Sequence, residues 1–172
     1  MADRFDMVVR GGTVVTASAR LKADVGIRDG QIEAVGDGLA AADIEIDAAG
    51  KLVMPGGVDP HCHIEQMSGM GQMNADTFET ATRSAALGGT TSVISFAAQA
   101  NGEPLAQTVD QYAQRAARGA MIDYAFHVTI TDLAVDNFAN DLEQLILAGH
   151  RSLKIFTTYN IQLSDTQILD VM

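Results

Sequence analysis

The register of apolar residues changes at Pro55-Gly56-Gly57, and that change constrains the fold more than any other feature of the chain. Downstream of it, short β-branched runs alternate with stretches whose apolar residues recur at helical spacing, the pattern of βα units around a parallel sheet. Val58 to Ile64 reads as the first strand. The helix after it is expected to begin near Asp76, where Asp76 and Glu79 have capping-box spacing, and to stop at Gly88-Gly89. Thr90 to Phe96 reads as a buried parallel strand. Pro104 then opens a helix with Leu105, Val109, Tyr112 and Ala116 on one face, closed by Gly119. Ile122 to Ile130 is the third strand, the helix through Leu142, Leu145 and Ile146 ends at Gly149, and Ser152 to Thr157 is the fourth strand. Ser164 and Gln167 form a capping box for a last helix that has hardly begun at Met172. Four strands, three complete helices and the start of a fourth amount to half of a (β/α)₈ barrel, whose usual length is ~250 residues. A doubly wound sheet is the competing fold, but the glycine-rich phosphate turn expected after its first strand is missing.

Upstream of Pro55 the reading is all β. Phe5 to Val9 and Thr13 to Ala17 are separated by Gly11-Gly12, and Val25 to Arg28 and Gln31 to Val35 flank Asp29-Gly30, a strong hairpin signal. Ile44 to Ile46 and Lys51 to Met54 are two further short runs. The expected organisation is a small β-rich segment over 1–54 and an α/β segment over 55–172.

With 172 residues and 47% hydrophobic content, the chain has enough apolar material for a real core. A net charge of -11 and the lack of any basic stretch argue against nucleic-acid binding. The amino terminus does not read as a signal peptide, and no apolar run approaches the length of a membrane span. A single cysteine, Cys62, excludes an internal disulfide framework and fits a reducing compartment, so the cytoplasm is the expected location.

The chemistry concentrates in Asp59-Pro60-His61-Cys62-His63, at the carboxyl end of the first parallel strand, where a barrel places its catalytic groups. Side chains at i and i+2 share a face, so His61 and His63 project together and can bind one metal ion. Asp59 is on the same face and could orient a ligand. Cys62 points the other way and reads as a packed side chain. His127, inside an apolar run, reads as a satisfied core histidine. His150, after Gly149, reads as a surface or capping residue.

The string from Pro55 to Ile64, PGGVDPHCHI, resembles the first-strand motif of the dihydropyrimidinase, hydantoinase and allantoinase group of amidohydrolases. Ala23 to Gly36 is similar to the β-rich opening of that superfamily, and Thr82 to Thr91 and Ser152 to Tyr159 to hydantoinase segments at matching places. The resemblance implies an α/β fold: a β-sandwich-type segment followed by the first half of a TIM-like amidohydrolase barrel.

It also implies a site. Lys154 would react with carbon dioxide to form a carbamate that bridges two divalent metal ions, usually zinc, with His61 and His63 as further ligands. Tyr159 would stabilise the oxyanion formed at the attacked carbonyl. Met67, Met70, Met73 and Phe156 are candidate contacts for the ring substituent. The implied reaction is hydrolysis of a cyclic amide, a dihydropyrimidine or a 5-substituted hydantoin, to an N-carbamoyl amino acid. Two further histidines and a catalytic aspartate are expected on later strands, beyond Met172, so the chain is expected to be a piece of a longer, homotetrameric enzyme and inactive alone. The alternatives are a non-catalytic scaffold relative and an allantoinase or dihydroorotase acting on another cyclic ureide.

Overall fold

The computed structural model describes residues 4–68 and 71–172. The chain divides into two compact units, Met1–Pro55 and Gly56–Met172. In the first, β1 (Phe5–Val15), β2 (Arg20–Arg28), β3 (Gln31–Gly36), β4 (Ala42–Asp47) and β5 (Leu52–Val53) form one sheet in the order β3-β2-β1-β4, with β5 also on β1. The antiparallel β2–β3 hairpin turns through Asp29 and Gly30, both at positive φ (51° and 72°), the backbone that an Asp-Gly pair supplies most cheaply. The two strands expected around Gly11-Gly12 are a single strand. The glycines make an irregularity in the β1–β2 register between Val9 and Gly12, with Gly11 at φ 66°, so β1 bends and carries on.

Arg10 ties this sheet together. All five of its N–H donors are used: on Glu45 twice (2.6 and 3.0 Å), on Asp24 (3.1 Å), and on the carbonyls of Leu39 and Ala40 (3.1 Å each). The N–H of Gly11, and after it Arg10, hold the Asp24 carboxyl below its usual range, and Arg10 does the same for Glu45.

In the second unit β6 (Gly57–Cys62), α1 (Phe78–Leu87), β7 (Thr90–Ala98), α2 (Leu105–Gly119), β8 (Asp123–Thr129), α3 (Phe138–Leu147), β9 (Leu153–Lys154) and α4 (Asp165–Val171) alternate along the chain. The sheet order is β6-β7-β8-β9 and every pair is parallel. The predicted face of α2 is the buried one: Leu105, Val109, Tyr112 and Ala116 pack in one core with Val93 and Ala97 of β7, Phe126 and Val128 of β8, and Leu142 and Leu145 of α3. Because strand side chains alternate, Phe96, His127, Thr129 and Lys154 are left for the opposite face, where His61 and His63 also come. Among the described residues no helix is long and apolar enough to cross a membrane.

Two local expectations are corrected. The cap of α1 is Thr77, whose hydroxyl and that of Thr80 bond each other's backbone N–H groups, while Asp76 accepts from the Thr80 hydroxyl; a hydroxyl one residue closer to the helix wins the cap from the carboxylate. The fourth strand is also shorter than Ser152 to Thr157. Only Leu153 and Lys154 pair with β8, and the chain then folds into a loop closed by the Leu163 N–H on the Phe156 carbonyl (2.9 Å). The capping box of Ser164 and Gln167 is present as expected.

Both Asp24 and Glu45 titrate below their ordinary values of 3.8 and 4.5 when folded, so the stability they lend is complete above those values and is lost as pH falls through the lowered ones. Replacing Arg10 with Met is expected to lower the urea midpoint at pH 7 and to flatten its fall on acidification below about pH 4. Parallel acid profiles for the two proteins would exclude Arg10 as the source.

Candidate active site

The segment from Pro60 to Glu65 is held by side chains as much as by sheet bonds. Pro60 has no N–H, and the β6–β7 register is irregular between Asp59 and Cys62. Four carbonyls in this stretch receive side-chain donors: Pro60 from His127 Nε2 (2.8 Å), His63 from Asn74 Nδ2 (2.6 Å), Ile64 from the Tyr112 hydroxyl and Glu65 from Arg115 (3.0 Å). Glu65 itself sits at φ 48°, and its carboxylate accepts from the Phe78 N–H at the first turn of α1 (3.2 Å), where unpaired amides favour an anion. Asp59 accepts from the His61 backbone N–H (3.0 Å), so among the described residues its hydrogen bond steadies the turn through the backbone and not through an imidazole.

Above this backbone, three of the expected groups gather around one ring. The Phe96 centroid lies 4.7 Å from the His61 ring, 4.8 Å from the His63 ring and 4.3 Å from Lys154 Nζ, and the two imidazoles are 5.5 Å apart. Lys154 Nζ also stands 4.9 Å from the Phe156 ring. Cys62 faces the other way: it packs against the core, its Sγ 3.7 Å from the Ile94 carbonyl oxygen, and burial pushes its thiol pKa up, which keeps it a neutral packing group and not a thiolate ligand.

Gln66 sets the state of His63. Its side-chain amide nitrogen donates to the Phe96 carbonyl, which turns the amide oxygen to His63 Nδ1 at 2.7 Å. Nδ1 therefore carries the hydrogen, and the lone pair of His63 is on Nε2, as a metal-binding imidazole requires. Among the described residues no three His, Cys, Asp or Glu side chains converge, so the donor set is two imidazoles and one amine. An ammonium does not coordinate a cation; converted to a carbamate, the same side chain is an anionic oxygen donor. The set fits a metal site on that condition.

A cavity of about 590 Å³ opens beside these groups, lined among others by His63, Gln66, Met67, Thr129, Lys154 and Phe156. The Thr129 hydroxyl is buried and has no hydrogen-bond partner among the described residues. Met67 pairs with Met73 across an isolated antiparallel bridge; Met67 lines the cavity, and Met73 is not among its lining residues. Met70 lies outside the described residues. Tyr159, also expected at the site, is 75% exposed and is not part of the cavity wall; its ring stands edge-on to Phe156 at 6.2 Å, and its backbone is left-handed, φ 68°. In a bulky residue that backbone costs roughly 1–2 kcal/mol, which makes the Tyr159 loop a strained one. His150 caps α3 through its backbone N–H, on the Leu145 carbonyl at 2.9 Å.

Reading the sequence for ligands missed Phe96, Gln66, Asn74, Tyr112 and Arg115. Gln66 stands three residues after His63, within reach of its ring across a turn, and was the one legible in principle. Tyr112 reads as core, which it is, but its hydroxyl also bonds Ser95 Oγ (2.6 Å), and burial pushes its pKa up to about 12. Replacing Tyr112 with Phe leaves the Ile64 carbonyl and the Ser95 hydroxyl short of a partner and is expected to cost about 1–3 kcal/mol in urea unfolding; a cost near zero would show that other groups satisfy them. Replacing Gln66 with Leu should turn the single Nδ1–H tautomer of His63 into a mixture in ¹⁵N spectra, and an unchanged tautomer would assign that choice to something other than Gln66.

Comparison with known proteins shows the family of the chain. The sequence profile of the Amidohydrolase family matches residues 45–140. The D-hydantoinase of Ralstonia pickettii is 42% identical over 155 residues, which is 90% of this chain and 34% of that protein. A solved D-hydantoinase structure superposes with a TM-score of 0.91 at 39% identity, covering 97% of this chain and 36% of the other. The dihydropyrimidinase of Brevibacillus agri does so with a TM-score of 0.85, also at 39% identity, over 92% and 35%. The chain thus spans about a third of the length of the curated relatives it matches. It belongs to the amidohydrolase family, on the branch that holds the D-hydantoinases and dihydropyrimidinases.

Proposed function

We infer that this chain carries part of the active site of a metal-dependent cyclic-amide hydrolase, which opens a C–N bond of a dihydropyrimidine or 5-substituted hydantoin ring to give an N-carbamoyl amino acid. The observation that carries the reading is the gathering of His61, His63 and Lys154 within 5 Å of one aromatic ring, beside a cavity large enough for a small ring. On this reading the second unit is the first half of a (β/α)₈ barrel and the first unit is part of a β-sandwich.

His61 and His63 would hold divalent metal, zinc by preference, and Lys154 would join them as a carbamate. In forming it, the lysine ammonium first gives one proton to solvent, the neutral amine nitrogen bonds the carbon of CO₂, and a second proton leaves the nitrogen, so that with two protons lost a cation becomes an anion. Two such metal ions, when bound, lower the pKa of water and polarise a carbonyl. The work of the chain is to orient. Gln66 fixes the His63 tautomer, the pinned carbonyls of 60–65 fix where both imidazoles point, and Met67 and Phe156 give the cavity an apolar wall for the ring substituent. Tyr159, packed against Phe156, is the candidate donor to the oxyanion.

The test uses the full-length protein that contains this chain. Elemental analysis should find divalent metal, the intact mass should include one added CO₂, and hydantoin or dihydrouracil should be turned over. Replacing Lys154 with Ala should remove the added mass and lower kcat/KM by about 100-fold or more. Metal-loaded protein that leaves a panel of cyclic ureides unchanged would overturn the hydrolase reading in favour of a scaffold.

A further inference from the structure

His127 belongs neither to the metal set proposed above nor to the wall of the 590 Å³ cavity, yet both of its ring nitrogens are committed to the strands that carry that set. Nε2 is 2.8 Å from the Pro60 carbonyl oxygen and Nδ1 is 2.6 Å from Ser152 Oγ. A carbonyl oxygen can only accept, so Nε2 carries the hydrogen; in the neutral ring Nδ1 then accepts from the Ser152 hydroxyl. Pro60 immediately precedes His61, and Ser152 is two residues before Lys154.

The sheet cannot make this connection itself. β7 lies between β6 and β8, so β6 and β8 share no backbone ladder, and the β6–β7 ladder is irregular where Pro60 and His61 stand. The imidazole reaches over β7, its ring 4.9 Å from that of Phe96, and closes the gap with one side chain. We propose that His127 is a positioning residue, a two-ended clamp that sets the distance between the His61–His63 strand end and Lys154 and so the affinity of the site for metal. The metal part of this rests on the hydrolase reading; the clamp is a property of the chain alone.

Three substitutions separate the clamp from simple packing. His127→Phe keeps a ring and removes both nitrogens. His127→Gln places an amide nitrogen near the position of Nε2, restoring the donor to Pro60. His127→Asn reaches only as far as Nδ1. With Co²⁺ as the probe, followed by its visible absorption in the full-length protein that contains this chain, the Phe variant, which loses both ends of the clamp, should bind about 10-fold more weakly or worse, and the Gln and Asn variants, which can each keep one end, should fall between it and the parent. Circular dichroism checks that each is folded. Parent-like affinity in all three folded variants, or equal weakening in Gln and Phe, overturns the proposal. If the full-length parent takes up no Co²⁺, the metal reading fails, and ¹⁵N spectra decide the clamp. His127 should then show the Nε2–H tautomer, with the ring signals of His61 and His63 displaced in the Phe variant and kept in the Gln variant. Unmoved signals in the Phe variant overturn it.

Discussion

A proline between Asp59 and His61 removes one amide hydrogen at the point where two imidazoles must be aimed, and the pairing of β6 with β7 is irregular there. Much of the second unit can be understood as compensation for that gap. β8 supplies His127, α2 supplies Tyr112 and Arg115, and the connection before α1 supplies Asn74, each to a different carbonyl between Pro60 and Glu65. The helices are therefore more than a cover for the sheet. Through these polar contacts α2 bears directly on the turn that follows His63, and the apolar face of α2, buried against β7 and β8, holds Tyr112 at the depth that contact needs.

What could be read from the sequence was short in range. The Asp29-Gly30 hairpin, the buried stripe of α2, the Ser164 capping box and the shared face of His61 and His63 depend on neighbours within one turn or one strand, and each is found as read. What could not be read joins residues far apart: Tyr112 to Ile64 across 48 positions, Arg115 to Glu65 across 50 and His127 to Pro60 across 67. Periodicity places Tyr112 and His127 in apolar surroundings and is silent about where their polar atoms go. The early stop of β9 has the same origin. Strand-like composition continues to Thr157, but β8 offers pairing partners only to Leu153 and Lys154.

The site groups differ in how firmly they are held. His63 is fixed by a ring hydrogen bond to Gln66 and by its carbonyl on Asn74. Met67, half of a lone bridge to Met73, and Tyr159, exposed on a loop with left-handed backbone, are tied by fewer contacts. The divide follows chemistry. Groups expected to bear on metal sit on or beside strands, whereas Met67, expected to meet the ring substituent, and Tyr159, expected to meet the oxyanion, sit outside the named strands, where shape can change without moving them.

The ring of Phe96 has a further consequence. Its π electrons attract a cation, and as an ammonium Lys154 rests 4.3 Å from its centre. Addition of CO₂ would make the same head group negative, and an aromatic face repels negative charge. The nitrogen would become a neutral N–H and the negative charge would lie on the two added oxygens, so the cation–π attraction at the ring would be lost. The Phe96 face is thus a contact that favours Lys154 in its unmodified, cationic form.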